Sequence, residues 1–284
     1  MESPSSTAAR YGWVLVGAGL LSIAVHSATG YASSLLLVAI TEDTGWSRAL
    51  VSTCLSVSSL GSIVWVPAIG FLVPLWGTRR VLTVGSLVLA GALLGLSAIQ
   101  SPLALAALML VPFSIGNTSV GSMVNYSGIQ PWFHERRGTA LAIAGTGASL
   151  GLLLMPLIQT SILSSGWRGA YQAMAAGVLA LGVLHLVVQR QPPRRALRGG
   201  EPEAPEPDMD FASIVRLRDF WLLSVGLGTS TFAGSLLMVH HVAYLTDYGY
   251  SAENIAVALP LRGIAGFVGR IVCGWLSDRI GTRR

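Results

Sequence analysis

Two stretches of this chain repeat one another: GFLVPLWGTRR occupies residues 70–80, and GWLSDRIGTRR occupies residues 274–284. Gly, Leu, Gly, Thr, Arg and Arg recur at matching positions, and each copy follows directly on a long apolar block. Self-similarity of this kind indicates an internal duplication. The pattern of the first part of the chain therefore begins again later in the sequence.

The composition is typical of a membrane protein. Hydrophobic residues make up 52% of the 284 residues and charged residues only 11%, whereas a soluble domain carries about 25% charged residues. The apolar residues form blocks of roughly 20, the length that crosses a hydrocarbon core of about 30 Å. We therefore predict eight membrane-spanning helices, at residues 12–39, 48–73, 80–99, 103–128, 138–160, 168–189, 217–245 and 254–276.

One segment differs from the apolar blocks around it. Residues 191–210 read QPPRRALRGGEPEAPEPDMD, and their content of proline, glycine and charge does not support a packed element. We therefore predict three regions. They are an N-terminal six-helix half over residues 1–190, a linker over residues 191–215, and the first two helices of a second half, with the loop that follows them, over residues 216–284.

The arginines fix the predicted orientation. All 18 Lys and Arg residues are arginine, and with the N-terminus inside, only Arg48 and Arg168 fall in outside loops. Positive charge concentrates on the cytoplasmic side of membrane proteins, so we expect a multi-pass cell-membrane protein whose N-terminus and linker are cytoplasmic. The basic sequence pI thus reflects topology, and we expect no nucleic-acid partner. The inside arginines are Arg10, Arg79, Arg80, Arg136, Arg137, Arg190, Arg194, Arg195, Arg198, Arg216, Arg218, Arg279, Arg283 and Arg284.

Further short motifs accompany the repeat. YGW at residues 11–13 opens the first span, GWSR at residues 45–48 opens the second, WFHERRGTA at residues 132–140 precedes the fifth, and Gly269-Arg270 lies in the eighth. Together with GWLSDRIGTRR, these motifs resemble the major facilitator superfamily, and within it the monocarboxylate-porter and oxalate–formate exchanger type. The resemblance implies an all-α membrane fold of twelve helices, of which this chain holds the complete N-terminal six-helix half and the first two helices of the C-terminal half.

The resemblance also implies a role for the repeated loops. In the family, the acid of this motif engages nearby charges and helps to hold the cytoplasmic gate shut. Asp278 occupies that position, whereas Pro74 replaces the acid in the first copy. The arginines of the loops either take part in the gate or only anchor the topology. The predicted gating-loop residues are Gly70, Gly77, Arg79, Arg80, Gly274, Asp278, Arg279, Gly281, Arg283 and Arg284.

Arg270 lies within the eighth predicted span. A charged side chain in mid-membrane costs about 2.5–3.5 kcal/mol on insertion scales, and a guanidinium offers a planar set of donors that matches a carboxylate. The resemblance implies that an arginine at this place binds the substrate carboxylate; the alternative is a side chain that extends to the inner interface. Arg262, in the same span, is either a second anion contact or a structural partner.

Other polar side chains in the predicted spans are further candidates for substrate binding. His240 and His241 in the seventh span suit a proton or substrate role near neutral pH, or an interhelical hydrogen bond. No Asp or Glu lies within the core of a predicted span, so proton coupling would need a histidine, the substrate's own carboxyl group or a residue outside this chain. Comparable candidates are His26, Tyr31, Asn117, Asn125 and Tyr126, and the last three alternatively hold helices together.

These observations favour a secondary transporter that moves small organic anions, mono- or dicarboxylates, by alternating access, with a proton or a counter-anion as a further partner. An efflux carrier for hydrophobic compounds and a non-transporting truncated membrane protein are the alternatives. The sequence contains no HExxH and no metal-spaced Cys/His cluster. We therefore expect no enzyme activity, no cofactor and no metal; the lipid bilayer is the surrounding medium, and the oligomeric state is left open.

Overall fold

A computed structural model describes the backbone of residues 4–133, 136–190, 211–249 and 252–280, and the side chains of residues 10–133, 136–190, 213–233, 248–249 and 264–280. Every regular element in these ranges is helical, which confirms the all-α prediction, and each of the eight predicted spans falls on these helices to within two residues at its ends. The helices are α1 (Pro4–Thr44), α2 (Arg48–Trp76), α3 (Thr78–Ser97), α4 (Pro102–Leu108), α5 (Ser114–Val120), α6 (Ser122–Ile129), α7 (Arg137–Gly145), α8 (Gly147–Leu153), α9 (Met155–Val188), α10 (Phe211–Val215), α11 (Arg218–Asp247) and α12 (Ala252–Ile280).

The fourth predicted span, residues 103–128, is not one continuous α-helix. A π-helical turn, Met109–Phe113, joins α4 to α5 and contains Pro112; proline lacks the N–H group that an α-helical hydrogen bond needs. A second interruption lies at Gly121, whose extended backbone (φ −68°, ψ 178°) separates α5 from α6. A short 3-10 turn, Gln130–Trp132, follows α6.

The fifth and sixth spans meet at Gly166. The fifth span consists of α7, α8 and the first part of α9, and the rest of α9 forms the sixth. Gly166 has φ +70° and ψ 175°, a conformation that residues with a side chain rarely adopt. A single glycine therefore separates two spans, between the predicted ranges 138–160 and 168–189.

Some helices approach each other so closely that only glycine fits at the contact. A Cβ atom on Gly147 of α8 would lie 2.2 Å from the backbone oxygen of Leu20 in α1. A Cβ atom on Gly116 of α5 would lie 2.5 Å from the backbone nitrogen of Leu89 in α3. Small residues allow helix backbones to approach in membranes, so these glycines set the spacing of α1 on α8 and of α3 on α5.

The outer surface of the helices is apolar. On α2, Leu60, Ile63 and Phe71 are 61%, 70% and 64% exposed, which is the pattern of side chains that face lipid hydrocarbon. The longest apolar stretch, 52 residues, holds both the fifth and the sixth predicted span. Five described stretches are long and apolar enough to cross a membrane: Arg10–Thr44, Arg48–Trp76, Thr78–Ser97, Pro102–Trp132 and Arg137–Val188.

The described packing divides the chain into two compact units. One comprises residues 1–196 and 267–284, and the other comprises residues 197–266. Within the second unit, the indole N–H of Trp221 donates to the carbonyl of Val215 at 2.8 Å and ties α10 to α11. The predicted boundaries at residues 190 and 215 stay a prediction, and residues 191–210 of the predicted linker lie outside the described residues.

Candidate functional site

The carboxylate of Asp278 caps the N-terminus of α7. Asp278 Oδ1 accepts a hydrogen bond from the N–H of Gly138 at 2.6 Å, and Oδ2 accepts from the N–H and the hydroxyl of Thr139 at 2.8 and 2.7 Å. The first N–H groups of a helix have no partner within it, and they carry a partial positive charge. A carboxylate from α12 therefore satisfies two of these donors at once and fixes α12 to α7.

The same contacts hold Asp278 in its charged form. Partial burial is the largest single influence and raises the pKa of the Asp278 carboxyl, but the hydrogen bonds from Thr139 and Gly138 together outweigh it. The pKa of Asp278 therefore lies below its ordinary value. The carboxylate is ionised at neutral pH, which is the state that the helix N-terminus favours.

Two glycines allow α7 and α12 to cross at this cap. A Cβ atom on Gly274 would lie 2.4 Å from the Cβ of Ala142 and 2.7 Å from the backbone oxygen of Gly138. A Cβ atom on Gly138 would lie 2.6 Å from the backbone oxygen of Gly274. Any side chain at either position would push the helices apart and lengthen the hydrogen bonds to Asp278. Gly274 of the repeated motif is thus a close-packing residue.

The first copy of the motif has a different environment. Gly77 adopts φ +79° between α2 and α3, which accounts for the glycine at that position of the repeat. Pro74 lies within α2 and offers no acid. Arg79 and Arg80 are exposed, and neither makes a hydrogen bond or ion pair with the side chains that the structure describes. In this copy the close turn is present and the carboxylate contact is not.

The remaining predicted gating-loop residues are Gly70 in α2 and four residues near the end of the chain. The guanidinium of Arg279 lies 4.1 Å from the centre of the Trp275 ring, a cation–π contact on the exposed side of α12. Gly70 lies in α2, where an added Cβ would meet only the end of Met123, at 4.0 Å. Gly281, Arg283 and Arg284 lie outside the described residues.

Arg270 contacts the fifth span two helical turns before Asp278. Its Nη1 donates to the carbonyl of Gly145 at 3.1 Å and to the hydroxyl of Ser149 at 3.2 Å. A guanidinium has five N–H donors, and within the described side chains no partner is present for those on Nε and Nη2. Arg270 is therefore oriented by two neutral acceptors, and part of its donor set remains available to an anion.

Tyr126 converges on the same place from α6. A Cβ atom on Gly145 would lie 2.7 Å from the hydroxyl oxygen of Tyr126, and the Gly145 carbonyl accepts from Arg270, so both side chains lie beside Gly145. Tyr126 is half-buried and Arg270 is exposed. The structure thus brings together two of the predicted site residues, one cationic and one with a neutral donor hydroxyl.

Arg270, Gly274 and Asp278 lie on one face of α12, because residues four apart on a helix share a face. All three contact the fifth span: Arg270 at Gly145 and Ser149, and the other two at Gly138. The candidate anion-binding residue and the candidate gate residue are therefore parts of one continuous helix surface.

His26 and Asn117 form a second group of predicted site residues, between α1 and α5. His26 Nδ1 lies 3.0 Å from the backbone oxygen of Asn117 and 3.1 Å from its Oδ1. The hydroxyl of Thr29 donates to Asn117 Oδ1 at 2.9 Å. Sequence reasoning did not single out Thr29, since a threonine in an apolar span carries no signal of its own.

Asn125 belongs to a third, buried network. Its Nδ2 donates to the carbonyls of Val120 and Gly121, both at 2.9 Å, and to the hydroxyl of Ser22 at 3.0 Å. His185 Nε2 lies 3.2 Å from the same hydroxyl. Asn125 is 2% exposed, and its side chain adds hydrogen bonds to two carbonyls beside the helix break at Gly121, which also accept from the Ser22 hydroxyl and from the Asn125 backbone N–H. This geometry favours its role in holding helices together; Ser22 and His185 were not predicted.

The other candidate residues are not joined to these groups. Tyr31 is half-buried in α1, and its hydroxyl has no hydrogen-bond partner among the described side chains. His240 and His241 lie on α11 and Arg262 lies on α12, but their side chains are outside the described residues. Among the residues that were described, no cluster of three or more His, Cys, Asp or Glu side chains could hold a metal ion.

Comparison with known proteins gives the family. The Major Facilitator Superfamily model matches residues 19–284. The chain belongs to the major facilitator superfamily. Its relatives are membrane transporters and not enzymes, and this agrees with the interpretation of the sequence as a non-enzymatic membrane protein.

Two relatives of this major facilitator chain carry anion names. The oxalate:formate antiporter of Oxalobacter formigenes is 26% identical over 276 residues, which cover 95% of this chain and 64% of that protein. Monocarboxylate transporter 11 of Homo sapiens is 30% identical over 253 residues, which cover 84% of this chain and 49% of that protein. The chain thus spans about half to two thirds of the length of these curated relatives.

A solved structure shares the fold. The major facilitator proton:xylose symporter XylE, bound to 6-bromo-6-deoxy-D-glucose, superposes with a TM-score of 0.60 over 98% of this chain and 70% of the XylE chain. Sequence identity is 16%, so the likeness establishes the fold and says nothing about the ligand.

Proposed function

We propose that this major facilitator chain acts in secondary transport of small organic anions, with Arg270 as the residue that binds a substrate carboxylate. The observation that carries the proposal is the incomplete donor set of Arg270. Two neutral acceptors, Gly145 O and Ser149 Oγ, hold Nη1, while the donors on Nε and Nη2 have no partner among the described side chains.

An arginine held in this way suits a carboxylate for a simple electrostatic reason. The neutral acceptors fix the plane of the guanidinium without cancelling its charge, so the charge stays available to a ligand. An anion that accepts two parallel N–H bonds then gains strong charge-assisted hydrogen bonds. The oxalate:formate antiporter and the monocarboxylate transporter among the relatives support a carboxylate as the ligand class.

We assign the contact between Asp278 and α7 to the gate of the transport cycle. Alternating access requires that the helices close on one side of the bound substrate and open on the other. The bonds from Gly138 and Thr139 to Asp278 fix α12 to α7 at one end of the fifth span. In the predicted orientation this end is cytoplasmic, so the contact would close the cytoplasmic side.

A second candidate, carriage of hydrophobic compounds, is favoured by a different cavity. A space of about 280 Å³ between α1 and the two parts of α9 is lined almost entirely by apolar side chains, among them Val25, Leu154, Ile158 and Met174. A neutral ligand in that space would make no use of Arg270. Binding of a hydrophobic compound that persists when Arg270 is removed would favour this candidate over the first.

Equilibrium binding of radiolabelled oxalate to the purified chain tests the proposal. Arg270→Ala should weaken binding about tenfold or more, because a hydrogen bond to a charged group contributes about 1.5–3 kcal/mol and each 1.4 kcal/mol is tenfold in affinity. Arg270→Lys should retain part of the affinity, since it keeps the charge and loses the planar donors.

The matched control is Arg279→Ala, which removes the same charge from the same helix at an exposed position. It should bind oxalate like the unmodified chain. Equal losses in Arg270→Ala and Arg279→Ala would mean that the effect is one of general charge, and undiminished binding by Arg270→Ala would remove Arg270 from the site. Thermal unfolding of each variant checks that it is folded.

A further inference from the structure

A polar cavity of about 180 Å³ lies between α1, α2 and the interrupted fourth span, separate from the residues that surround Arg270. His26 lines it together with Ser62, Asn117, Thr118 and Ser122. It also borders Gly121, where α5 and α6 separate. The described lining side chains offer hydroxyl and amide groups and one imidazole, beside the apolar Val66 and Met123, and they include no carboxylate and no guanidinium.

The hydrogen bonds of His26 fix which ring nitrogen carries the hydrogen. Nδ1 lies 3.0 Å from the backbone oxygen of Asn117, a group that can only accept, so Nδ1 must be the donor. The neighbouring Asn117 Oδ1, at 3.1 Å from Nδ1, is likewise an acceptor because the Thr29 hydroxyl donates to it. In a neutral imidazole with hydrogen on Nδ1, Nε2 holds a free electron pair.

That electron pair is available. No hydrogen bond to His26 Nε2 is formed by the described residues. Nε2 is also not one of the buried polar atoms that lack a partner, a group that does include His185 Nδ1. Nε2 therefore has access to free space, and the cavity that His26 lines provides it. A basic nitrogen in that position can take up a proton without any movement of the ring.

The described surroundings contain no other group that would compete for this proton. No titratable or charged side chain on the elements packed against α1 is among those that line the cavity. Ser22, one turn before His26 on α1, separates it from His185. The titratable and charged side chains on the packed elements are Arg48 and Cys54 on α2, Tyr126 on α6, Arg137 on α7, and Arg168, Tyr171 and His185 on α9; α1 itself adds Arg10, Tyr11, Tyr31, Glu42 and Asp43.

We propose that His26 Nε2 is a proton-binding site of this carrier and that its occupancy couples anion binding to pH. A proton from the cavity adds to the Nε2 electron pair, and the neutral imidazole becomes an imidazolium. Nδ1–H continues to donate to Asn117 O, and the new Nε2–H lies towards the cavity that His26 lines. The link to the anion rests on the proposed function; the proton site itself does not.

The coupling follows from the cost of burying a charge. An imidazolium in a membrane cavity without a counter-ion is unfavourable. An anion bound at the proposed site near Arg270 carries the opposite charge and lowers that cost, and by reciprocity the proton tightens anion binding. The pair then moves with less net charge than the anion alone. No carboxylate within a predicted span is needed for this coupling.

The first test is a pH titration of the purified full chain, labelled with nitrogen-15 in its five histidines, by NMR. His26→Gln identifies the His26 signals, and His134→Gln, outside the predicted spans, is the control for substitution. We expect Nε2 of His26 to be the unprotonated nitrogen at about pH 8 and to become protonated as the pH falls towards about 5. Signals that stay constant over this range, or a hydrogen on Nε2 at the upper end, would overturn the proposal.

Oxalate binding at the two ends of this pH range separates the proton site from the transport function. The unmodified chain and His134→Gln should bind oxalate about tenfold more tightly at the lower pH, and His26→Gln should lose that difference. As a check that needs no variant, the unmodified chain should take up a proton on binding oxalate, measured with an indicator dye. A titrating His26 with no oxalate binding at all would support the proton site and contradict the proposed function; a pH difference that persists in His26→Gln would overturn the coupling.

Discussion

Asp278 performs, from a distant part of the chain, the task that a local N-cap residue performs in most helices. Its two oxygens accept from Gly138 and Thr139 at the start of α7, where the chain itself supplies no side-chain cap. Pro74, at the same position of the first copy, cannot accept a hydrogen bond through its side chain. The carboxylate that joins α12 to α7 in the second copy of the motif is therefore missing from the first copy.

Removal of the Asp278 carboxylate should loosen the start of α7. In Asp278→Ala, the amides of Gly138 and Thr139 lose their acceptor, and hydrogen exchange there should accelerate roughly fivefold, for a lost cap worth about 1 kcal/mol. Hydrogen–deuterium exchange measured by mass spectrometry on peptides from α7 gives the result. Glu42→Ala, which removes an exposed acid from α1, should leave α7 unchanged; equal exchange in the two variants would show that the cap does not hold α7.

The pH dependence of this contact follows from the lowered pKa of Asp278. A carboxyl whose pKa is lowered in the folded state contributes stability above its ordinary pKa, about 4, and loses it as the pH falls through the lowered value. Protonation of Asp278 should therefore not accelerate hydrogen exchange of the Gly138 amide between about pH 5 and pH 8. It should accelerate that exchange only in stronger acid. Loosening that begins above about pH 5 and is absent from Asp278→Ala would contradict this assignment.

At the level of secondary structure, the main feature is that several helices are interrupted. The π turn at Pro112, the break at Gly121 and the kink at Gly166 each leave backbone groups without their usual partners. At Gly121, the side-chain amide of Asn125 donates to two carbonyls around the break. The polar cavity that His26 lines borders this break, so an irregular backbone and the proposed proton-binding side chain lie side by side.

We expect a glycine-to-alanine substitution at the contact between α1 and α8 to destabilise the protein much more than the same substitution on an open helix face. Gly147→Ala places a Cβ 2.2 Å from Leu20 O and must force the helices apart, whereas Gly177→Ala meets nothing within 4 Å. We expect Gly147→Ala to cost about 1–3 kcal/mol and Gly177→Ala to be close to neutral. Thermal unfolding in detergent compares the two, and equal midpoints would show that α8 is free to shift on α1.

At the scale of the whole molecule, the apolar blocks predicted where each span lies, because length and hydropathy are local properties of a sequence. The repeat singled out Asp278, since duplication makes a departure from the pattern visible. Which helix faces which neighbour is not local, so the pairing of Asp278 with Gly138 and of Arg270 with Gly145 required the structure. His185 and Ser22 escaped notice for the same reason: a histidine and a serine in apolar spans acquire meaning only when three helices meet.

Arg270 and Asp278 lie on one face of α12, and the stretch of helix between them links them mechanically. Eight residues of α-helix span about 12 Å and behave as a stiff rod. Under the proposed function, a shift of Arg270 towards an incoming anion would therefore pull or rotate Asp278. By thermodynamic reciprocity, the strength of one attachment enters the apparent strength of the other. If Arg270 and Asp278 have the proposed roles, stronger hydrogen bonds at Asp278 would lower the apparent affinity for the anion, because part of the binding free energy would be used to move α12.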